Sequence, residues 1–220
     1  MAKKVFIGVG HGGKDPGACA NGFEEADLNL DIALSVNAEL IRHGVSVQMS
    51  RTNDASDTLD DRVKECNAFN PDLAVDIHNN AGGGDGAEAF YHYKGGTSKT
   101  LADNILSEIV KIGQNSRGSK TKLNSAGKDY YGFIRETKPP AVIVECAFVD
   151  NKTDIQIIDT AEERKTMGIA IAKGILKTLG IAYIEPVASK PVESKPVAKE
   201  YVINLAKLKA DGYSKIIMEV

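Results

Sequence analysis

At 220 residues, 42% of them apolar and 26% charged, the chain is long enough for one domain of ordinary size with a substantial core, and its composition excludes wholesale disorder and a fibrous repeat. A formal net charge of -3 offers no basic stripe for neutralising phosphates, so nucleic acid is not an expected partner. No stretch approaches the ~20 apolar residues that cross a bilayer, so no membrane span is expected either.

The first predicted element is a strand, the short apolar run Val5 to Val9, which leads straight into Gly-rich sequence. The two lysines ahead of it precede no signal-peptide core, so synthesis in the cytoplasm without a signal peptide is expected. Leu28, Leu30, Ile32, Ala33, Val36, Leu40 and Ile41 recur at near-helical spacing, Gly44 stops that helix, and "VSVQMS" reads as a strand. Then come a helix in "LDDRVKECNAF", a buried strand in "PDLAVDIH", a strand in "AEAFYHY" and a helix from about Thr97 to Ile112. A polar loop over residues 113 to 128 precedes the strongest strand candidate, "AVIVECAFV", and the last helix of this region ends at Gly180.

Such alternation predicts an α/β domain over residues 1–180, with a mostly parallel twisted sheet flanked by helices. Residues 181–200, with a repeated Lys-Pro-Val unit, read as an extended linker. Residues 201–220 read as one amphipathic helix, an Asp-Gly turn and one strand, too little to fold alone. This small segment is expected to dock on the domain, to self-associate with another copy, or to form half of a wall-binding repeat. The cysteines Cys19, Cys66 and Cys146 are odd in number and widely spaced, which fits reduced thiols and gives no CxxC metal pair.

The residues with chemistry in them gather at strand ends. A catalytic zinc site needs about three protein ligands and one open position. His11 follows the first strand in "GVGHGG", where glycines let the backbone turn tightly. His78 leaves the apolar approach "LAVDI", so in a parallel sheet the two histidines share one rim, where open α/β sheets place their sites. Glu145 sits deep in an apolar strand, where an unpartnered carboxylate costs several kcal/mol. In "NGFEEADLNL" two carboxylates open an amphipathic helix, and spacing alone does not choose between Glu24 and Glu25.

In order, "GHGGKDPGA", "GFEEADLNLDIA", "SRTNDASDTLDDRVKECNAFNPDLAVDIHNNA" and "PPAVIVECAFVDN" resemble the successive blocks of the zinc-dependent N-acetylmuramoyl-L-alanine amidases of the Amidase_3 type. The resemblance covers about residues 4 to 180. It implies Zn2+ as cofactor, His11, Glu25 and His78 as its ligands, and Glu145 as the catalytic acid and base. Arg51 and Arg62 also match family positions and are expected to be structural. The implied reaction is hydrolysis of the amide between N-acetylmuramic acid and the L-alanine of the stem peptide, with peptidoglycan as the partner. The setting it implies is a phage endolysin or a sporulation-type autolysin, acting on the wall after release.

Two readings compete with that one: a non-catalytic muropeptide-binding protein, and a zinc peptidase cutting within the stem peptide. Outside the site, His43 at a helix end is expected to serve the last carbonyls, and His92 in "FYHY" to face solvent or the sheet surface. Gly8, Gly10 and Gly13 satisfy G-x-G-x-x-G, but "KDPGACANG" intervenes where a dinucleotide site would open a helix, and "GGTSKT" lacks the order of a phosphate loop.

Overall fold

Strand β1 (Lys4–Val9) is apolar and almost wholly buried because a strand follows on each side of it. The computed structural model describes residues 2–186. The linker beyond residue 186 and the segment expected at 201–220, with any self-association through it, therefore lie outside the described residues. The described residues up to Ile184 form one compact unit.

After β1 come a hairpin of two short strands, β2 (Cys19–Ala20) and β3 (Phe23–Glu24), then helix α1 (Glu25–Arg42) and strand β4 (Ser46–Met49). Helix α2 (Leu59–Phe69), strands β5 (Leu73–Asn80) and β6 (Ala87–Tyr91), and helix α3 (Thr97–Lys111) follow. The remainder is β7 (Ser116–Lys120), α4 (Gly132–Glu136), β8 (Ala141–Phe148), a 3-10 turn (Asp154–Ile157) and α5 (Ala161–Leu179). Among the described residues the main sheet runs β4-β1-β5-β8-β6-β7. Its first four strands are mutually parallel, β6 is antiparallel to β8, and β7 is parallel to β6. This is the mostly parallel α/β sheet expected from the sequence.

Strand alternation divides the core. Val5, Ile7, Val9, Val75, Ile77, Val142 and Val144 face α1, α3 and α5 in the larger cluster. Phe6, Ala74, Ala141 and Ile143 face the other way, against Cys66 of α2 and Phe133 of α4, and the Phe6 and Phe133 rings stack at 6.4 Å. Burying the central strands on both faces is why they read as continuous apolar runs.

Helix α5 begins with a capping box between Thr160 and Glu163 and ends at Gly180 in the left-handed conformation, where the sequence places its stop. Its two interior glycines, each costing about 1 kcal/mol of helix propensity, mark its crossings. A Cβ at Gly168 would meet Ser35 of α1 at 2.5 Å, and one at Gly174 would meet Ile105 of α3 at 2.5 Å.

The structure adds elements that the sequence does not announce. Strand β7, "SRGSK", lies inside the expected polar loop: as an edge strand with no apolar residue, it has no hydrophobic period to read. Helix α4, only five residues long, and the β2–β3 hairpin are too short for periodicity as well. Among the described residues the three cysteines are free, and no helix is long and apolar enough to cross a membrane.

Candidate active site

Parallel pairing sets the carboxyl ends of β1, β5 and β8 side by side. Val9 is in register with Ile77, and His78 with Glu145. Since Ile77 and Val144 face the larger core, Asp76, His78 and Glu145 stand together on the opposite face.

On that face, beyond Phe6, the end of β1 and the residue after it present only glycine, at Gly8 and Gly10. A Cβ at Gly10 would lie 2.3 Å from the His78 ring, and one at Gly8 would lie 2.3 Å from Asp76 Oδ1 and 2.8 Å from Arg62. The Gly-Val-Gly of the first strand is thus a cradle for one imidazole and the ion pair beside it. No helix opens after it, as α1 starts only at Glu25, so the dinucleotide reading has no structural basis here.

Beyond Gly10 the chain turns sharply: His11 takes φ 61°, a left-handed conformation uncommon for a residue with a side chain. Its ring meets that of His78 edge to face, with centroids 5.1 Å apart. His11 Nε2 lies 3.2 Å from Glu25 Oε2, and its Nδ1 lies 2.8 Å from Asp15 Oδ2.

Glu25 is the first residue of α1 and is 4% exposed. Its Oε2 accepts from the Ala18 amide at 3.0 Å, and its Oε1 accepts from the Asn79 amide at 3.1 Å and from Asn29 Nδ2 at 3.3 Å. His78 Nδ1 lies 3.1 Å from the same Oε1. Glu24, the other carboxylate that spacing allows, is exposed on β3. Direction along the chain separates them: the short β3 turns Glu24 outward, and the helix start turns Glu25 in.

Charge in the cluster is mutually sustained. Burial would raise the Glu25 carboxyl, but hydrogen bonds from His11 and His78 hold it well below the usual carboxylate range. Burial would lower His78, yet Asp76 and Glu25 push it up to about 10. His11 is raised by its hydrogen bond to Glu25, against its own burial. Glu145 has no such support: burial pushes it up to about 7, opposed by the charge of His78. Its Oε2 is buried and, among the described residues, has no hydrogen-bond partner.

One nitrogen from each histidine and one oxygen of Glu25 lie within 4.8 Å of one another. Two imidazoles and a carboxylate form a donor set suited to a divalent cation such as zinc, whose bonds to nitrogen and oxygen run about 2.0–2.2 Å. The orphaned oxygen of Glu145 on the next strand fits a site that holds a reactive proton.

Arg51 and Arg62 do not join the cluster. Arg51 donates to the carbonyls of Val9, Gly10 and Ala26, tying the end of β1 to the start of α1. Arg62 is buried between Asp57 and Asp76. His43 Nδ1 lies 2.8 Å from the Glu39 carbonyl in the last turn of α1, and His92 pairs with Asp129 at 3.2 Å, both away from the site.

A cleft of about 500 Å³ opens beside His11 and His78, walled by Lys14, Ser56, Thr58, Tyr131, Phe133 and Ile143. Its wall combines residues 56–58, the start of α4, Lys14 from the turn after β1 and Ile143 of β8. Outside that wall, the Asn79 amide donates to Glu25, Asn80 Nδ2 to Glu88, and the amides of Gly82 and Gly83 to Asp150. Sequence reasoning also passes over Asp15 and Asp76. An acidic residue two positions before His78 in an apolar strand shares its face, and that was the available signal.

Comparison with known proteins matches residues 5–177 to the family N-acetylmuramoyl-L-alanine amidase, Amidase_3. The endolysin of Bacillus phage SPP1 is 33% identical over 222 residues, 97% of this chain and 79% of its own. The sporulation-specific N-acetylmuramoyl-L-alanine amidase of Bacillus subtilis (strain 168) is 35% identical over 176 residues, covering 78% of this chain and 66% of its own. The crystal structure of an N-acetylmuramoyl-L-alanine amidase from Clostridium difficile 630 superimposes with a TM-score of 0.74 at 31% identity, over 81% of this chain and 97% of its own. Family match, sequence identity and superimposed fold thus agree that this chain belongs to the N-acetylmuramoyl-L-alanine amidase family of hydrolases.

Proposed function

We propose that the chain is a zinc-dependent peptidoglycan amidase that cuts between the lactyl group of N-acetylmuramic acid and L-alanine, with His11, Glu25 and His78 as metal ligands and Glu145 as the catalytic acid and base. The convergence of three donor atoms within 4.8 Å, beside a buried Glu145 oxygen that has no hydrogen-bond partner among the described residues, carries this reading. When bound, zinc supplies Lewis acidity that polarises the scissile carbonyl and acidifies water.

The protein's own residues do the rest. Both imidazoles turn a ring nitrogen toward Glu25, so the three donors would face one cation, and Asn29 and the Asn79 amide hold the Glu25 carboxylate in place. Glu145, raised to about 7 by burial, takes a proton from water on its carboxylate and returns it to the leaving alanine nitrogen. An amine leaves poorly unless protonated, so both halves of the cycle need the same group. The cleft beside the histidines would seat the glycopeptide, its apolar wall of Tyr131, Phe133 and Ile143 excluding water from one side. Action on the cell wall follows from this substrate.

The test is digestion of purified cell wall by the full chain, with metal analysis of the protein and identification of the new amino terminus. Zinc at one equivalent and alanine at the new terminus support the proposal. A terminus within the stem peptide makes the protein a peptidase, and binding without cleavage makes it a muropeptide-binding protein.

A further inference from the structure

We propose that Asp76, anchored by Arg62, is the positioning residue for His78: it takes the Nε2–H of the imidazole and leaves Nδ1 as the nitrogen that faces the metal. This rests on the reading above that His78 is a ligand, and adds which nitrogen binds and what turns the ring.

His78 lies between two carboxylates. Its Nδ1 is 3.1 Å from Glu25 Oε1, on the side where the donor atoms converge, and its Nε2 is 3.5 Å from Asp76 Oδ2. A small rotation of the ring brings the second distance to a hydrogen bond. Asp76 is 1% exposed, so its charge needs compensation, and Arg62 provides it. Arg62 Nη1 lies 3.1 and 3.0 Å from the two Asp76 oxygens, while Arg62 Nε donates to Asp57 at 2.9 Å. The carboxylate therefore cannot swing away from the imidazole without uncoupling a buried ion network.

Two further observations separate this from an ion pair of the core. Gly8 and Gly10 keep β1 free of side chains beneath the Asp76–Arg62 pair and beneath the His78 ring, so one strand is cleared for all three groups. The other histidine repeats the arrangement with its ring reversed: His11 offers Nε2 to Glu25 and Nδ1 to Asp15 at 2.8 Å. Each ring sits between Glu25 and a carboxylate of its own, the arrangement by which outer carboxylates fix the tautomer and raise the basicity of histidine ligands. It follows that the two histidines bind through opposite nitrogens, Nε2 of His11 and Nδ1 of His78.

The experiment is a long-range proton–nitrogen NMR spectrum of the full chain, 15N-labelled at histidine and titrated with zinc chloride, with signals assigned by single His→Gln variants. Expected is a zinc-bound Nδ1 and a protonated Nε2 for His78, and the reverse for His11. A zinc-bound Nε2 on His78 overturns the proposal while leaving the metal site intact; no response of either ring overturns both. In the Asp76→Asn variant, chelator competition should read zinc affinity about 10- to 100-fold weaker. Unchanged affinity in a folded variant also overturns it, and if the variant fails to fold, the wild-type spectrum decides.

Discussion

His78 and Glu145 are register partners on the adjacent parallel strands β5 and β8, and both side chains stand on the face turned away from the larger core. A proposed ligand and the proposed proton carrier are thereby held by backbone pairing, which neither side chain can alter by changing rotamer. The Glu145→Ala variant should therefore keep its metal and lose about 10²- to 10⁴-fold in hydrolysis, the usual worth of a positioned proton-transfer group. Elemental analysis and release of stem peptides from purified wall check the two halves separately. A variant that still cleaves at the wild-type rate removes Glu145 from the mechanism.

If His11, Glu25 and His78 bind a cation only when folded, the cation must stabilise the fold by linkage. Zinc at 100 times its dissociation constant adds about 2.7 kcal/mol, and a chelator removes it together with the activity. In His11→Ala the added zinc should shift the thermal midpoint far less than in the wild type. A midpoint and an activity both indifferent to chelator would dispose of the metal site.

Gly10→Ala probes the cradle. Its Cβ would arrive 2.3 Å from the His78 ring and must push it aside, since Gly10 itself is tied by its amide to the Ile77 carbonyl of the adjacent strand at 3.0 Å. Overpacking of this kind costs on the order of 1–3 kcal/mol, which urea unfolding can read. The larger effect should fall on metal binding, with zinc affinity down by at least about tenfold because the ligand itself is displaced. Wild-type zinc affinity in this variant would show that the imidazole does not need the space.

What the sequence disclosed was governed by period and by chemistry. Strands β1, β5 and β8 read as apolar runs that lead to His11, His78 and Glu145, and their parallel pairing is what brings those residues to one rim. Glu24 and Glu25 could not be told apart, because the choice depends on a two-residue strand that turns one of them outward. Asp76 and Arg62, 14 positions apart, meet only through the packing of α2 on the sheet. Much of the cleft wall is contributed by residues 56–58 and a five-residue helix, where no periodicity exists to be read.

Glu88 allows a pH test that leaves the metal ligands alone. It is in register with Glu145 on the strand beyond β8, is 6% exposed, and accepts from Lys120, from Arg117 Nε at 2.9 Å and from Asn80 at 2.9 Å. Burial would raise its carboxyl, but the hydrogen bonds to Lys120 and Arg117 hold it below the ordinary value. A carboxyl lowered by folding stabilises the protein above its unfolded value of about 4.3, and this contribution disappears as pH falls through the lower folded value. Both cations are more than a third exposed, which limits the contribution to on the order of 1 kcal/mol. Glu88→Gln, which retains an acceptor for Asn80, should therefore be less stable than the wild type by about that amount at pH 7 and equally so at pH 5. The gap should close as pH falls below about 4, where the wild type loses its charge and the variant has none to lose. Urea unfolding of both proteins along this series decides the matter, for a gap that widens in acid would mean that folding raises the Glu88 carboxyl.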